Sequence, residues 1–369
     1  MKIAIAGTRG IPNDYGGFEQ CAEFLSVLFV ESGHDVTVYN SHDHPYQQTN
    51  FNKVSIKHVY NPEKKIGAGG NFIYDYLCMR HAIKYEFDVI LMLGYTTASV
   101  FYPILDFRRS ILVTNMDGLE WKRDKWNSTV KKLALWFEKL GAKYSQYHIA
   151  DNERIRDYLR KTYKIDSTCI AYGSNVVESF NEEKIAEFNV KKNSYSLIIA
   201  RLEAENNIEM ILEGYVDSNL EEPILIVGKV NTVYGKKLEA KYKNNSQVRF
   251  LGGIYDLQKL NDLRHFCKYY FHGHSVGGTN PSLLEAMASG AFIIAHGNDF
   301  NRWVTASNAG YFLNSKEITS LINKDSNFFN NKDSFVKGNM EKIKSTFHWQ
   351  NIAKQYLNAF EGFLTKSGR

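Results

Sequence analysis

The chain has 369 residues, more than one hydrophobic core usually organises, so two domains are expected. With 44% hydrophobic and 23% charged residues it reads as a folded protein rather than a disordered or fibrous one. The net charge of +5 is too modest to indicate a nucleic-acid partner, and no apolar run approaches the roughly 18 residues of a membrane span.

The first apolar run, residues 2–6, is too short for a secretory signal and passes directly into Gly7-Thr8-Arg9-Gly10-Ile11-Pro12, then Asp14-Tyr15-Gly16-Gly17-Phe18-Glu19. Phe18, Ala22, Leu25, Leu28 and Phe29 recur at helical spacing, Gly33 stands where a C-cap is expected, and residues 35–39 read as the next strand. A glycine-rich turn lets backbone approach a ligand closely, and a helix start at Gly17 offers unpaired N–H groups to an anion. A phosphate or a carbohydrate suits this turn; a tight turn with no ligand is the alternative. The GxGxxG spacing is absent and Asn40, not an acid, follows the second strand, which weakens a dinucleotide reading. No cofactor is expected.

Residues 54–60, 88–93, 110–114, 146–150 and 168–171 continue the alternation of short strands with helical segments, the rhythm of a parallel sheet. From Arg108 to Lys164 there are fourteen Lys and Arg against seven Asp and Glu, with Trp121, Trp126, Trp136 and Phe137 among them. That pattern suits an anionic surface; a solvated helix with its aromatics in the core is the competing reading. Asp151-Asn152-Glu153 reads as a helix cap after a strand, and Arg108-Arg109 as a solvated strand entry. The four cysteines (Cys21, Cys78, Cys169, Cys267) have neither CxxC nor metal-ligand spacing, which points to a reducing, cytoplasmic setting. The pairs His42/His44 and His272/His274 lack further ligands nearby, so no metal is expected.

After the polar linker candidate at 181–193 the rhythm restarts, with strands read at 196–200, 223–228, 248–252, 268–272 and 291–295. Ligands bind beyond the carboxyl ends of such strands, and two facing domains would enclose a cleft. At the end of the 268–272 run comes His272-Gly273-His274-Ser275-Val276-Gly277-Gly278-Thr279-Asn280-Pro281, running on to Glu285 and Gly290. Asn280 followed by Pro281 reads as an N-cap with proline at N1, and Gly290 as a stop. Backbone amides and the positive end of a helix suit a diphosphate, and Glu285 one turn on suits the hydroxyls of a nucleoside. The stretch 323–337 reads as a loop or frayed helix, and Trp349, Ile352, Ala353, Tyr356, Leu357, Phe360 and Phe363 as the stripe of a terminal helix.

The stretch NPSLLEAMASG (280–290) resembles the donor-binding helix of retaining GT-B glycosyltransferases of family 4. Ile199-Ala200-Arg201-Leu202 is similar to that family's strand and phosphate-binding Arg, and Val248-Arg249-Phe250-Leu251-Gly252 to the strand before its nucleobase loop. TRGIPNDYGGFE and Asp117-Gly118-Leu119-Glu120-Trp121-Lys122-Arg123 resemble more closely one branch, bacterial rhamnosyltransferases that extend lipid-linked cell-surface polysaccharides. The resemblance runs nearly the whole chain. It departs at Gly277, where the family usually has a glutamate, and at Asn206, where it usually has a lysine, so that a sugar contact and a phosphate cation are missing or moved.

The resemblance implies an α/β GT-B fold: two Rossmann-like domains with parallel sheets facing across a cleft, residues 1–180 for the acceptor and 181–345 for the nucleotide sugar, with a C-terminal helix, 346–369, returning to the first domain. It implies a retaining, metal-independent transfer, with L-rhamnose from dTDP-L-rhamnose passing to a lipid-diphosphate-linked saccharide on the inner face of the plasma membrane. The expected catalytic residues are Asp117, Arg201 and His274. The donor set is Gly16, Gly17, Arg201, Lys229, Gly252, Gly253, His274, Gly277, Gly278, Thr279, Asn280, Ser282 and Glu285; the acceptor set is Arg9, Tyr15, Glu19, Asp117, Glu120, Lys122 and Arg123. A nucleotide-sugar epimerase and a non-catalytic nucleotide-sugar-binding subunit are the functions that compete with it.

Overall fold

The computed structural model describes residues 1–14, 16–116, 118–123, 126–323 and 326–368. In chain order its strands are β1 (Lys2–Ala6), β2 (Asp35–Ser41), β3 (Asn50–Phe51), β4 (Val54–Val59), β5 (Val89–Leu93), β6 (Ile111–Asn115), β7 (Tyr147–Ala150), β8 (Thr168–Cys169), β9 (Ser196–Ile199), β10 (Ile224–Val227), β11 (Val248–Gly252), β12 (Tyr269–His272), β13 (Ile293–His296) and β14 (Gly310–Phe312). The helices are α1 (Gly17–Glu31), α2 (Glu63–Ile66), α3 (Gly70–Lys84), α4 (Ser128–Tyr144), α5 (Glu153–Tyr163), α6 (Ile208–Val216), α7 (Val233–Tyr242), α8 (Leu257–Phe266), α9 (Pro281–Ala288), α10 (Asp299–Thr305), α11 (Ser315–Ile322), α12 (Lys332–Lys342) and α13 (Trp349–Lys366). The chain divides into two compact units: Met1–Lys122, Trp126–Tyr172 and Trp349–Arg369 in one, Arg123–Lys125 and Gly173–His348 in the other.

The first unit holds an eight-stranded sheet ordered β3-β4-β2-β1-β5-β6-β7-β8, parallel except at β3. Strands β5 (VILML) and β6 (ILVTN) are buried along their whole length, as a parallel sheet covered on both faces requires. From β1 the chain builds outward through β2 and β4, then returns to the other side of β1 to lay down β5 through β8. The reversal opens a crevice beyond the carboxyl ends of β1 and β5. Helix α13 completes this unit, with Tyr356 and Phe360 packing on Phe29 of α1 and Trp349 stacking on Phe24 at 4.8 Å.

The second unit is a six-stranded parallel sheet, β11-β10-β9-β12-β13-β14, with its reversal between β9 and β12. Its core gathers Ile198, Leu212, Ile226, Phe271, Ile294 and Phe312. Residues 181–193 hold a 3-10 helix, Glu182–Phe188, capped by Asn181 and anchored where Asp262 accepts the Asn181 N–H at 2.9 Å. Within the stretch 323–337, residues 326–337 are more ordered than their polar composition suggests: Phe328 and Phe335 flank Phe292, and α12 begins at Lys332.

Candidate active site

In the second unit the loops that leave β9 and β12 are joined side chain to backbone. Beyond β9, Asn206 donates from Nδ2 to the Arg201 carbonyl at 2.7 Å, and its Oδ1 lies 2.9 Å from His274 Nδ1. Asn207, at φ 48°, donates to the Gly273 carbonyl at 2.8 Å, and both the N–H and hydroxyl of Ser275 donate to the Glu205 carbonyl at 3.0 Å. Only glycine fits at 273, because a Cβ there would lie 1.9 Å from the Asn206 carbonyl oxygen. From the far side, Asn298 and Asn301 donate to the His274 carbonyl at 3.0 and 2.9 Å. His274 is thus held in place by two neighbouring segments.

Past His274 the chain turns at Gly277, whose φ of 102° favours glycine, and Gly277, Gly278 and Thr279 lie buried ahead of α9. Asn280 caps α9 by accepting the Ser282 N–H at 2.9 Å, and Pro281 occupies N1. The helix therefore presents its positive end beside those amides. Ser282, expected at the donor, is held by the scaffold: its hydroxyl meets Tyr270 Oη at 2.8 Å and the Ile199 carbonyl at 3.3 Å, and its N–H serves the cap. Glu285 is partly buried and paired with the fully buried Arg264, which also donates to Asn261 at 3.1 Å. That pairing fixes the carboxylate's orientation, and a carboxylate with about four lone-pair sites retains capacity for further donors.

Electrostatics favour an anion here. Burial first, then the guanidinium charges of Arg123 and Arg201, push His274 down to about 3. Burial with His274 and His296 nearby does the same to His272, also to about 3. The histidines are therefore neutral, and the exposed Arg201 is the cation at the mouth of the β9 turn. Arg123 counts with this unit and lies 3.9 Å from Glu205 Oε1. At the ends of β10 and β11, Gly252, Gly253, the exposed Lys229 and Tyr255 form a second cluster, with Lys229 Nζ 5.0 Å from the Tyr255 ring. Tyr255 is 71% exposed, an aromatic face that sequence reasoning passed over although it follows the nucleobase-loop strand. Among the described residues no group of three or more His, Cys, Asp or Glu is placed to hold a metal.

In the first unit, the turn after β1 is clamped by Asn40: the Ile11 N–H donates to Oδ1 at 3.0 Å and Nδ2 donates to the Ile11 carbonyl at 2.7 Å. The residue that replaces the acid of a dinucleotide site thus shapes the loop. Arg9 pairs bidentately with Glu63, at 2.7 and 3.2 Å. Gly16 and Gly17, expected at the donor, open α1, and the Glu19 carboxyl lies over that opening, accepting its own N–H and that of Arg9 at 2.8 Å. A cavity of about 270 Å³ sits at the β1–β5 reversal between Thr8, Phe18, Glu19, Tyr74, Asp75 and Thr97. Asp75 has no place in the sequence-derived set, yet it falls on the buried stripe of α3 with Tyr74, Cys78, Met79 and Ala82. Thr97 donates to it.

Glu120 and Lys122 lie on a 3-10 turn, Lys122 Nζ 5.3 Å from the Trp121 ring. Tyr15 and Asp117, expected at the acceptor, lie outside the described residues. Nearby, the buried Glu138 of α4 accepts from the phenols of Tyr95 at 3.2 Å, Tyr158 at 2.5 Å and Tyr163 at 2.6 Å.

Comparison with known proteins converges on this geometry. Residues 179–341 match the family model for glycosyl transferases group 1, and residues 1–175 match a domain of unknown function, DUF1972. No curated protein matches the sequence. Among solved structures the chain is similar to sucrose-phosphate synthase from Thermosynechococcus elongatus, at 15% identity and TM-score 0.76, covering 99% of each chain. It is also similar to HepE of Anabaena in complex with UDP-glucose, at 14% identity and TM-score 0.74, covering 98% of this chain and 99% of that one. The catalytic domain of starch synthase IV from Arabidopsis thaliana follows at 12% and 0.72, covering 98% and 99%. At these identities the likeness establishes the fold, GT-B.

Proposed function

We propose that this chain, with its GT-B fold and its glycosyl transferases group 1 match, carries L-rhamnose from dTDP-L-rhamnose to a lipid-diphosphate-linked saccharide, with retention at the anomeric carbon, in cell-surface polysaccharide synthesis. The observation that carries the donor half is the start of α9, where buried glycines, the Asn280 cap and the helix dipole meet the Arg201 turn across the β9–β12 reversal. HepE, of the same fold, is complexed with UDP-glucose, which supports a nucleotide sugar here. The rhamnosyl assignment rests on the resemblance of TRGIPNDYGGFE and DGLEWKR to one branch.

The barrier to transfer is charge separation as the sugar C1–O bond to the diphosphate breaks. Arg201, the amides of Gly277 to Thr279 and the α9 dipole stabilise the departing diphosphate before it forms, the preorganised electrostatics that contribute most to such reactions. The acceptor hydroxyl adds to C1 from the same face, and its proton passes to the leaving phosphate oxygen. His274 contacts the donor sugar. Asp117 orients the acceptor, with Glu120 as the alternative.

Among the described residues no helix is long and apolar enough to cross a membrane. The outer face of α4 and its approach exposes Trp126, Leu133 and Trp136 beside Lys132, Lys139 and Lys143, a mixture that favours an anionic lipid interface and supports a membrane-borne acceptor. Incubation with a panel of sugar nucleotides and a membrane-lipid fraction tests the whole reading. Nucleoside diphosphate release that needs both dTDP-rhamnose and lipid is the expected result. Release of an epimerised free sugar nucleotide, or binding without any turnover, would refute it.

A further inference from the structure

A guanidinium is sealed beneath α9. Arg264, in the last turn of α8, is 1% exposed and among the bulkiest fully buried side chains. Its Nη1 donates to Asn261 Oδ1 at 3.1 Å and its Nη2 to Glu285 Oε2 at 2.5 Å, and among the described residues Glu285 is the one carboxylate within ion-pair reach of it. Asp262, on the same helix, is engaged elsewhere, accepting from the Asn181 N–H and from Gln258. The pair is braced from α9, where the Ser289 hydroxyl lies 3.3 Å from the same Asn261 oxygen and donates to the Glu285 carbonyl at 2.8 Å. Stability does not account for this arrangement, because burying an ion is costly and an apolar side chain of similar volume is often at least as stable in its place. What the arginine adds is direction: the Glu285 side chain keeps 22% of its surface exposed, and a planar fork anchored on Asn261 holds it to one orientation.

Resting on the donor half of the transferase reading, we propose that Arg264 is a positioning residue for nucleotide choice: it aims the Glu285 carboxylate at the pentose of a nucleoside diphosphate, so that the site separates nucleotides by the hydroxyls their pentose carries. The placement agrees. Glu285 lies one turn into α9, past the Asn280 cap and the buried glycines and Thr279 that face the diphosphate in that reading, and the pentose is the next group along such a ligand. The chemistry agrees as well. Pentose hydroxyls donate, an ionised carboxylate only accepts, and the charge on the acceptor makes each such bond stronger than a neutral one. Hydrogen bonds weaken steeply as they bend, so a carboxylate left to turn would distinguish a hydroxyl from its absence far less sharply than one that is held.

The test is titration calorimetry on the full chain with dTDP, UDP, GDP and ADP, each beside its 2′,3′-dideoxy analogue. The wild type binds at least one parent nucleotide about tenfold more tightly than its analogue, the scale of one hydrogen bond to a charged acceptor. In Arg264→Met, which roughly keeps the volume and removes the charge, that ratio falls to about twofold or less. Arg264→Lys keeps the charge without the fork and lowers the ratio part of the way, and it carries the test where the methionine protein does not fold. A merely structural arginine would weaken parent and analogue together and leave the ratio alone, so an unchanged ratio in a folded variant overturns the proposal. A wild type that binds a parent nucleotide and its analogue equally overturns it too, while the donor reading stands. Failure of all four parent nucleotides to bind defeats the donor reading itself.

Discussion

Asn206 Oδ1 lies 2.9 Å from His274 Nδ1 while the same side chain donates to the Arg201 carbonyl, so the amide's orientation is set by one loop and dictates the tautomer of a histidine on the other. With Nδ1 carrying the proton, Nε2 is the acceptor. At the position where the resemblance leads one to expect a lysine, this chain has an amide that fixes an imidazole. Asn206→Leu is expected to lower kcat about tenfold, with a smaller effect on the donor KM, since the loss is one of orientation rather than charge. Initial-rate kinetics over donor concentration measure the split.

Arg201 is exposed at the β9 turn and serves no core contact that its loss would disturb. Arg201→Ala is expected to reduce turnover at saturating donor by about 10²–10³-fold with an unchanged melting curve, the scale of removing one donor to developing negative charge. Arg201→Lys restores part of it, because a point charge lacks the guanidinium fork. Unchanged turnover in the alanine variant would remove Arg201 from the mechanism.

Asp75 gives the first unit a pH signature. Burial raises its folded pKa to about 7, above the unfolded value, with Tyr74, Cys78, Glu19 and Tyr102 as its titratable neighbours. Its contribution is therefore fully present below about pH 4 and is lost as pH rises through 7, amounting to up to about 4 kcal/mol. Asp75→Asn should flatten that slope. Urea unfolding at pH 5 and pH 8, wild type against variant, checks the sign.

His272 acts in the opposite sense in the second unit. Burial, with His274 and His296 close by, depresses its pKa below the unfolded value, so the stability it permits is present above pH 6.5 and lost as pH falls toward 3. His272→Phe is expected to blunt acid unfolding between pH 6 and 4, followed by near-UV circular dichroism.

Glu138 collects three phenolic donors in a site where it is 1% exposed. Glu138→Ala strands those hydroxyls and is expected to cost about 3 kcal/mol, while Glu138→Gln, which keeps one acceptor oxygen, costs less. Burial already lifts Tyr158 to about 12, so the tyrosines cannot relieve the loss by ionising. Chemical denaturation of both variants distinguishes a hydrogen-bond effect from a simple cavity.

The strands were legible because parallel sheets covered on both faces demand unbroken apolar runs, and eleven of the runs read from sequence start within one residue of a strand's start. The α9 tip was legible for a local reason: an Asn-Pro pair has few other uses at that position. The contacts of Ser282 were not legible, because the direction of its hydroxyl is decided by Tyr270, twelve residues earlier and after the intervening loop has folded. Asp75 was illegible as a site residue because a carboxylate in the middle of a helix looks solvated until the two loops opposite it, after β1 and β5, are brought together. The two-residue β3 carries no periodicity to read.

Because Trp349, Tyr356 and Phe360 pack on α1, the core of the first unit is completed only after the second unit has been synthesised. While the intervening sheet is still emerging, the outer face of α1 with Phe24 and Phe29 has no cover. The apolar side of α1 thus stays open to water until α13 is made, so the two helices, far apart in sequence, close that face together.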